Sequence, residues 1–147
     1  MAEVIPIGAD HAGFALKERL KQELEKLGYQ PLDLGTNSAD STDYPDYAHP
    51  VAGKVERGEV RRGVLLCGTG LGMAYAANRH HGVRAAVAWT PEIAQLARAH
   101  NDANILVLPA RFVTEQEGLD ILRAWLTTPF EGGRHERRVE KIEPKGE

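Results

Sequence analysis

Short apolar runs alternate with amphipathic stretches along this chain, and that alternation leaves few folds open. Strands are expected at residues 4–9, 29–34, 64–67, 83–89 and 103–108. Between them the spacing turns helical. Residues 14–27 put Leu16, Leu20, Leu24 and Leu27 on one face, and Gly28 stands where such a helix ends. Residues 47–57 offer Ala48, Val51, Ala52 and Val55, with Pro50 read as lying in the first turn, where proline is tolerated. A third helix is expected from 71 to about 79. A fourth opens on Thr90 as N-cap with Pro91 behind it and ends near 100–102. A fifth opens on the capping box Thr114-Glu115-Gln116-Glu117, turns Leu119, Leu122, Trp125 and Leu126 inward, and stops at Pro129. Strands that alternate with helices pair in parallel, because each crossover returns the chain to the same edge. The expected fold is therefore α/β: a doubly wound, three-layer α/β/α domain over residues 1–147 with a five-stranded, Rossmann-like parallel sheet. Pro6 sits awkwardly in the first strand, since it cannot donate to a ladder.

The chemistry is concentrated where the third strand ends. Val64-Leu65-Leu66 runs into Cys67-Gly68-Thr69-Gly70-Leu71-Gly72, a buried strand followed by a glycine turn and the start of a helix. Glycines let a ligand approach the main chain closely. The amides of a first helical turn favour an anion or a thiolate. Cys67 can also be read as a small buried hydrophobe, but a glycine turn is a poor place to pack one. The turn is not a P-loop, because no lysine follows Gly72. Nor is it a dinucleotide fingerprint, because Met73 or Tyr75 occupies the third glycine position. It suits a small anion or a developing oxyanion.

Other polar residues fall at strand ends. Asp10-His11 follows the first strand and Arg111 the fifth, all at the edge where parallel sheets bind ligands. Asp10 suits a helix cap equally well. His100-Asn101 ends a helix and precedes the fifth strand, which puts it at the opposite edge; a neighbouring subunit would be needed to bring it in. Residues 130–133 read as a hinge and 134–142 as a basic helix, so that 130–147 forms a basic tail suited to contacting a partner.

The formal charge of −3 argues against nucleic acid or an anionic membrane as partner. One cysteine excludes an internal disulfide framework and suits a reducing, cytoplasmic setting. No apolar run approaches the roughly 20 residues needed to span a bilayer, and the early Glu3 is unlike a signal peptide. His80-His81 lacks the spacing of a helical zinc site, so no metal or other cofactor is expected.

Five short stretches together, Asp10-His11-Ala12-Gly13, Thr42-Asp43-Tyr44-Pro45, Cys67-Gly68-Thr69-Gly70, His100-Asn101-Asp102 and Gly132-Gly133-Arg134-His135, resemble the type B ribose-5-phosphate isomerases and their relatives acting on galactose and allose 6-phosphates. The resemblance spans nearly the whole chain and is more specific for the family than for the sugar. It implies a metal-free aldose–ketose isomerase, a homodimer or homotetramer with a shared site for a small sugar phosphate. It implies Cys67 as the base that moves a proton between C1 and C2, His100 as the acid that opens the sugar ring, and Asp10 and Thr69 as assistants. Gly68, Gly70, Leu71 and Gly72 would face the enediolate oxygens. His11, Arg111, Arg134 and Arg138 would hold the phosphate, and Tyr44 and Asn101 the sugar. A branch of the family replaces the cysteine by a glutamate farther along the loop. Here that position is Met73, which accepts no proton, so the cysteine branch is the match. A non-catalytic phospho-sugar binding module on the same fold is the alternative of another class; it would need neither Cys67 nor His100.

Overall fold

The computed structural model describes residues 1–145. Five parallel strands, β1 (Val4–Ala9), β2 (Gln30–Asp33), β3 (Gly63–Cys67), β4 (Ala85–Val87) and β5 (Ile105–Pro109), form one sheet in the order β2-β1-β3-β5-β4. Six helices accompany them: α1 (Phe14–Lys26), α2 (Pro45–Glu56), α3 (Leu71–Ala77), α4 (Pro91–Asn101), α5 (Glu115–Thr127) and α6 (Arg134–Glu140).

Strand side chains alternate between two cores, as the two-residue period of a strand requires. Ile5, Ile7, Val64, Leu66, Leu106 and Leu108 face the layer holding α1, α4 and α5, where Leu20, Ala94, Leu122 and Trp125 are buried. Leu65, Cys67, Ile105 and Val107 face α2 and α3, against Val51, Ala52, Met73 and Ala77. The expected three-layer architecture is the one observed.

The order also places the crevice. The chain leaves β1 for β2 on one side and returns to β3 on the other, so the connections diverge between the carboxyl ends of β1 and β3. Ligands of doubly wound sheets bind at such a switch point.

Three sequence expectations need adjustment. Helix α2 starts at Pro45, two residues before the expected 47, so Pro45 fills the first turn and Pro50 lies inside the helix. Pro50 therefore leaves the Asp46 carbonyl without its usual i+4 donor. Strand β4 has three residues where seven were expected, because the Arg84 amide donates to the Asn104 side chain at 2.7 Å and not to a ladder. Pro6 is tolerated in a central strand because the β1–β3 pairing begins one residue later, at Ile7 opposite Val64.

Candidate active site

Backbone geometry builds the carboxyl edge. Asp10 is buried directly after β1, and its Oδ1 accepts the amides of Ala12 at 3.0 Å and Gly13 at 3.2 Å. Its own amide donates to the Leu66 carbonyl at 3.2 Å, which locks the end of β1 to β3. The capping role read for Asp10 is not made: α1 starts at Phe14 with Gly13 as its N-cap and no side-chain cap, and one Asp10 carboxylate oxygen instead closes the turn that precedes the helix. Gly13 follows because a side chain there would collide with Leu66, 2.6 Å from an ideal Cβ.

The turn after β3 is held from both sides. The amides of Ala110 and Arg111 donate to the carbonyls of Cys67 and Gly68 at 2.9 and 3.0 Å, tying it to the end of β5. Gly70 adopts φ +81°, a left-handed conformation that favours glycine, and serves as the N-cap of α3. Thr69 Oγ1 accepts the Leu71 amide at 3.1 Å. That leaves the Gly72 and Met73 amides as the unpaired donors of a first helical turn. Cys67 is buried, 4% exposed, at the base of this turn.

Side chains from two loops cover the turn, and His11 binds the loop that carries Tyr44. The Arg111 side chain lies over Gly68, its Cδ 3.2 Å from where a Cβ would stand. The Tyr44 ring covers Gly72 so closely that a Cβ there would sit 2.6 Å from it. His11 Nδ1 accepts the Thr42 amide at 3.2 Å, which leaves the ring proton on Nε2, free to donate. Sequence reasoning missed that contact, since a backbone amide leaves no residue-type signal.

The remaining predicted residues lie at the opposite, amino edge. Helix α4 runs back along the sheet and carries His100 and Asn101 at its end. The Glu131 amide donates to the Ala99 carbonyl at 3.0 Å and brings the C-terminal segment alongside. Helix α6, which ends at Glu140 and not at the expected 142, starts there with Arg134 and carries Arg138 one turn later. At about 3.3 Å per strand residue, the two edges are roughly 15–20 Å apart. Within one chain, His100, Asn101, Arg134 and Arg138 therefore do not meet Cys67.

His100 has two neighbours that the sequence did not single out. Its ring stacks on His135, centroids 4.2 Å apart and 12° from parallel. The Nε2 atoms of His100 and His135 lie 3.8 and 3.6 Å from the same oxygen, Glu131 Oε1. Burial, then the charges of His100 and Arg134, lower the pKa of His135 below the ordinary histidine value. Glu131 and His135 are four residues apart, a spacing that was available in the sequence, but the two intervening glycines read as a hinge.

Between the edges runs an exposed apolar stripe. Ile93, Leu96 and His100 recur at helical spacing along the outer face of α4, Trp89 precedes the helix, and the three apolar residues are each 40% exposed or more. The Trp89 ring packs on Phe112, centroids 5.0 Å apart, one residue from Arg111. The stripe thus connects the Cys67 turn to His100.

Comparison with known proteins agrees with the fold and the motifs. Residues 5–142 match the family model described as Ribose/Galactose Isomerase. The chain is 47% identical over 138 residues to ribose-5-phosphate isomerase B of Escherichia coli, covering 94% of this chain and 93% of that protein. It is similar to the structure of a ribose 5-phosphate isomerase from Thermotoga maritima, with TM-score 0.93 and 51% identity over 97% of this chain and 98% of the other. It is also similar to ribose-5-phosphate isomerase B from Mycoplasma genitalium, a structure with bound ribulose 5-phosphate, with TM-score 0.93 and 43% identity over 97% and 95% of the two chains. A sheet with its crevice at the β1–β3 switch point, a cysteine at the base of a glycine turn, and matches over nearly the full length all lead to one assignment: the chain belongs to the ribose/galactose isomerase family.

Proposed function

We propose that this protein interconverts ribose 5-phosphate and ribulose 5-phosphate, with Cys67 as the proton-transfer base. The observation that carries the proposal is the position of Cys67, buried at the end of β3 beneath a turn whose Gly72 and Met73 amides are unpaired. A proton next to a carbonyl is weakly acidic, so its removal needs a placed base and donors for the oxygen that gains charge. The thiolate takes the C2 proton of the open-chain aldose. The C–H electron pair forms the C1–C2 double bond, and O1 becomes an oxyanion facing the Gly68–Gly72 amides. Return of the proton from sulfur to C1, with transfer of the O2 proton to O1, gives the ketose. Asp10 and Thr69 stand beside this path, and Tyr44 with the partner's Asn101 would contact the sugar. His11 Nε2 and Arg111 would hold the phosphate together with Arg134 and Arg138. Arginine suits that task because its planar fork pairs with phosphate oxygens.

The proposal includes a shared site. Helix α4 spans roughly 16 Å at 1.5 Å per residue, about the distance between the two edges. Two copies packed on their α4 stripes across a two-fold axis would lie antiparallel, so His100 of one would reach the Trp89 end of the other, beside its Cys67 turn. Such a self-complementary contact is what a two-fold dimer requires. It covers the exposed Trp89, Ile93 and Leu96 and gives each Cys67 a histidine for ring opening. Among the described residues no helix is long and apolar enough to cross a membrane, and with a single thiol the proposed place of action is the cytoplasm.

A coupled assay for ribulose 5-phosphate tests the reading. Turnover of ribose 5-phosphate with a higher kcat/KM than galactose or allose 6-phosphate is expected. Binding without turnover of any of the three would replace the isomerase by a binding module.

A further inference from the structure

Among the described residues one group of side chains has the donors and spacing of a transition-metal site: His100, Glu131 and His135, whose ligand atoms all lie within 4.8 Å of one another. Two nitrogens and a carboxylate oxygen form a familiar donor set for Zn2+. Bonds of about 2.1 Å in a tetrahedron place ligand atoms about 3.4 Å apart. Both imidazole Nε2 atoms already lie close to that separation from Glu131 Oε1, at 3.8 and 3.6 Å. The two rings are stacked, so closing the site turns them out of parallel until the in-plane lone pair of each Nε2 meets the metal.

The backbone holds this arrangement. The Glu131 amide is bonded to the Ala99 carbonyl at 3.0 Å, one residue before His100. The His135 amide donates to the Gly132 carbonyl at 3.0 Å, which closes the turn between Glu131 and His135. His135 is buried, 8% exposed, and its ring lies against His100. The Glu131 side chain is 58% exposed, so a metal here would keep an open coordination position. Structural zinc sites are closed by four protein ligands; three ligands leave the fourth position to water. Arg134 and Arg138 on the same segment oppose a dication, which keeps the affinity moderate.

We propose that His100, Glu131 and His135 bind a transition-metal dication such as Zn2+, and that the bound metal inhibits the isomerase by occupying the His100 imidazole. The inhibitory half rests on the ring-opening role assigned to His100; the binding half does not. The metal is a reversible brake, since the proposed proton transfers need none.

The test uses the full chain freed of metal with EDTA and then of chelator. Co2+ is titrated into Cys67→Ala, which removes the thiol as a competing ligand. One Co2+ per chain, with visible ligand-field absorption, is expected. Adding Glu131→Gln or His135→Gln should weaken it by roughly tenfold or more, since loss of a direct ligand costs at least what loss of an outer-shell partner does. Glu131 is exposed, so its variant remains informative if His135→Gln fails to fold. No saturable Co2+ binding, or binding unchanged in Glu131→Gln, overturns the site. In the cysteine-containing enzyme, micromolar Zn2+ should slow ribose 5-phosphate turnover and EDTA should restore it. Glu131→Gln should keep its basal rate and resist Zn2+. Inhibition that persists in that variant arises elsewhere, and binding without inhibition removes the brake. An EDTA-treated enzyme with no isomerase activity refutes the proposed function, while the Co2+ titration still decides the metal site.

Discussion

The two edges of the sheet are built from opposite ends of the same elements, and they differ accordingly. At the carboxyl edge, strands end and helices begin, so unpaired N–H groups gather there. The Cys67 turn, the Asp10 turn and the start of α3 are held mostly by main-chain bonds, and what they present is donors. At the amino edge helices end, so unpaired carbonyls gather and side chains must satisfy them. Arg62 donates to Leu126, Arg84 to Asp102 and Gly82, and Arg98 to Ala103 and Thr128. Those arginines are occupied by structure, although they line one cleft. An arginine cluster in a parallel α/β protein is therefore not by itself an anion site; which edge it occupies matters. His100 is the exception, placed at the carbonyl-rich edge but at the end of a stripe that a second copy can cover.

The largest predicted effect sits at the carboxyl edge. Cys67→Ala should reduce turnover by about 10²–10⁴-fold, the range for losing a placed general base. Far-ultraviolet circular dichroism and substrate-analogue binding should stay close to wild type, since the bonds that hold the neighbouring turns use the main chain, Asp10 and Thr69 and not the Cys67 thiol. Near wild-type turnover in the variant would show that the base is another group.

At the amino edge, His100→Asn should lower turnover of the closed-ring sugar by roughly 10²-fold, at the lower end of general acid–base effects. Proton exchange on an open-chain analogue should barely change, because only ring opening needs the imidazole. Equal losses on both would remove His100 from that step. Mixing His100→Asn with Cys67→Ala tests whether the edges belong to different chains. If they do, a mixed dimer regains one complete site and activity returns. Confirmed chain exchange with no recovery places His100 outside the neighbour's site.

A smaller loss is expected from the terminal helix. Removing Arg134 or Arg138 should cost about 1.5–3 kcal/mol of phosphate binding, the value of a charge-assisted hydrogen bond. Because the phosphate is remote from the reacting carbons, part of the loss should appear in kcat. Steady-state kinetics with an unchanged KM and kcat would exclude them as phosphate ligands.

The carboxyl edge was the more legible of the two in the sequence. Its residues are consecutive, and glycine types report backbone constraint directly: Gly68, Gly70 and Gly72 mark the turn, and Thr114 with Glu117 forms the capping box they suggest. Even the misplacement of His100 relative to Cys67 was readable, from strand direction alone. The amino edge resisted because its contacts join distant segments through side chains. Nothing in the residues around Glu131 announces that His135 will stack on His100, or that Glu131 will face both rings. The start of α2 was misjudged because two prolines, Pro45 and Pro50, both suit a first turn and only one can occupy it.

The smallest predicted effect separates structure from chemistry at the amino edge. Arg62 donates to both carboxylate oxygens of Glu3, at 3.0 and 2.8 Å, and stands over the Trp125 ring. Its hydrogen bonds hold the Glu3 carboxyl below its ordinary value of 4.5, against the opposing effect of burial. A carboxyl whose pKa is depressed by folding stabilises the fold above its unfolded value, and that contribution is lost as pH falls through the lower folded value. The pair is partly exposed, so Glu3→Gln should cost about 1 kcal/mol at pH 7, near the top of the range for such pairs. Urea unfolding at a series of pH values should show the difference shrinking below about pH 4.5 and vanishing once Glu3 is protonated in both states. Turnover at pH 7 should be unchanged, because Arg62 works on the Leu126 carbonyl and Glu3, not on a ligand. A difference in stability that does not shrink as pH falls below about 4.5 would mean that Glu3 acts through packing. A loss of turnover at full stability would mean that this edge transmits more to His100 than its hydrogen bonds describe.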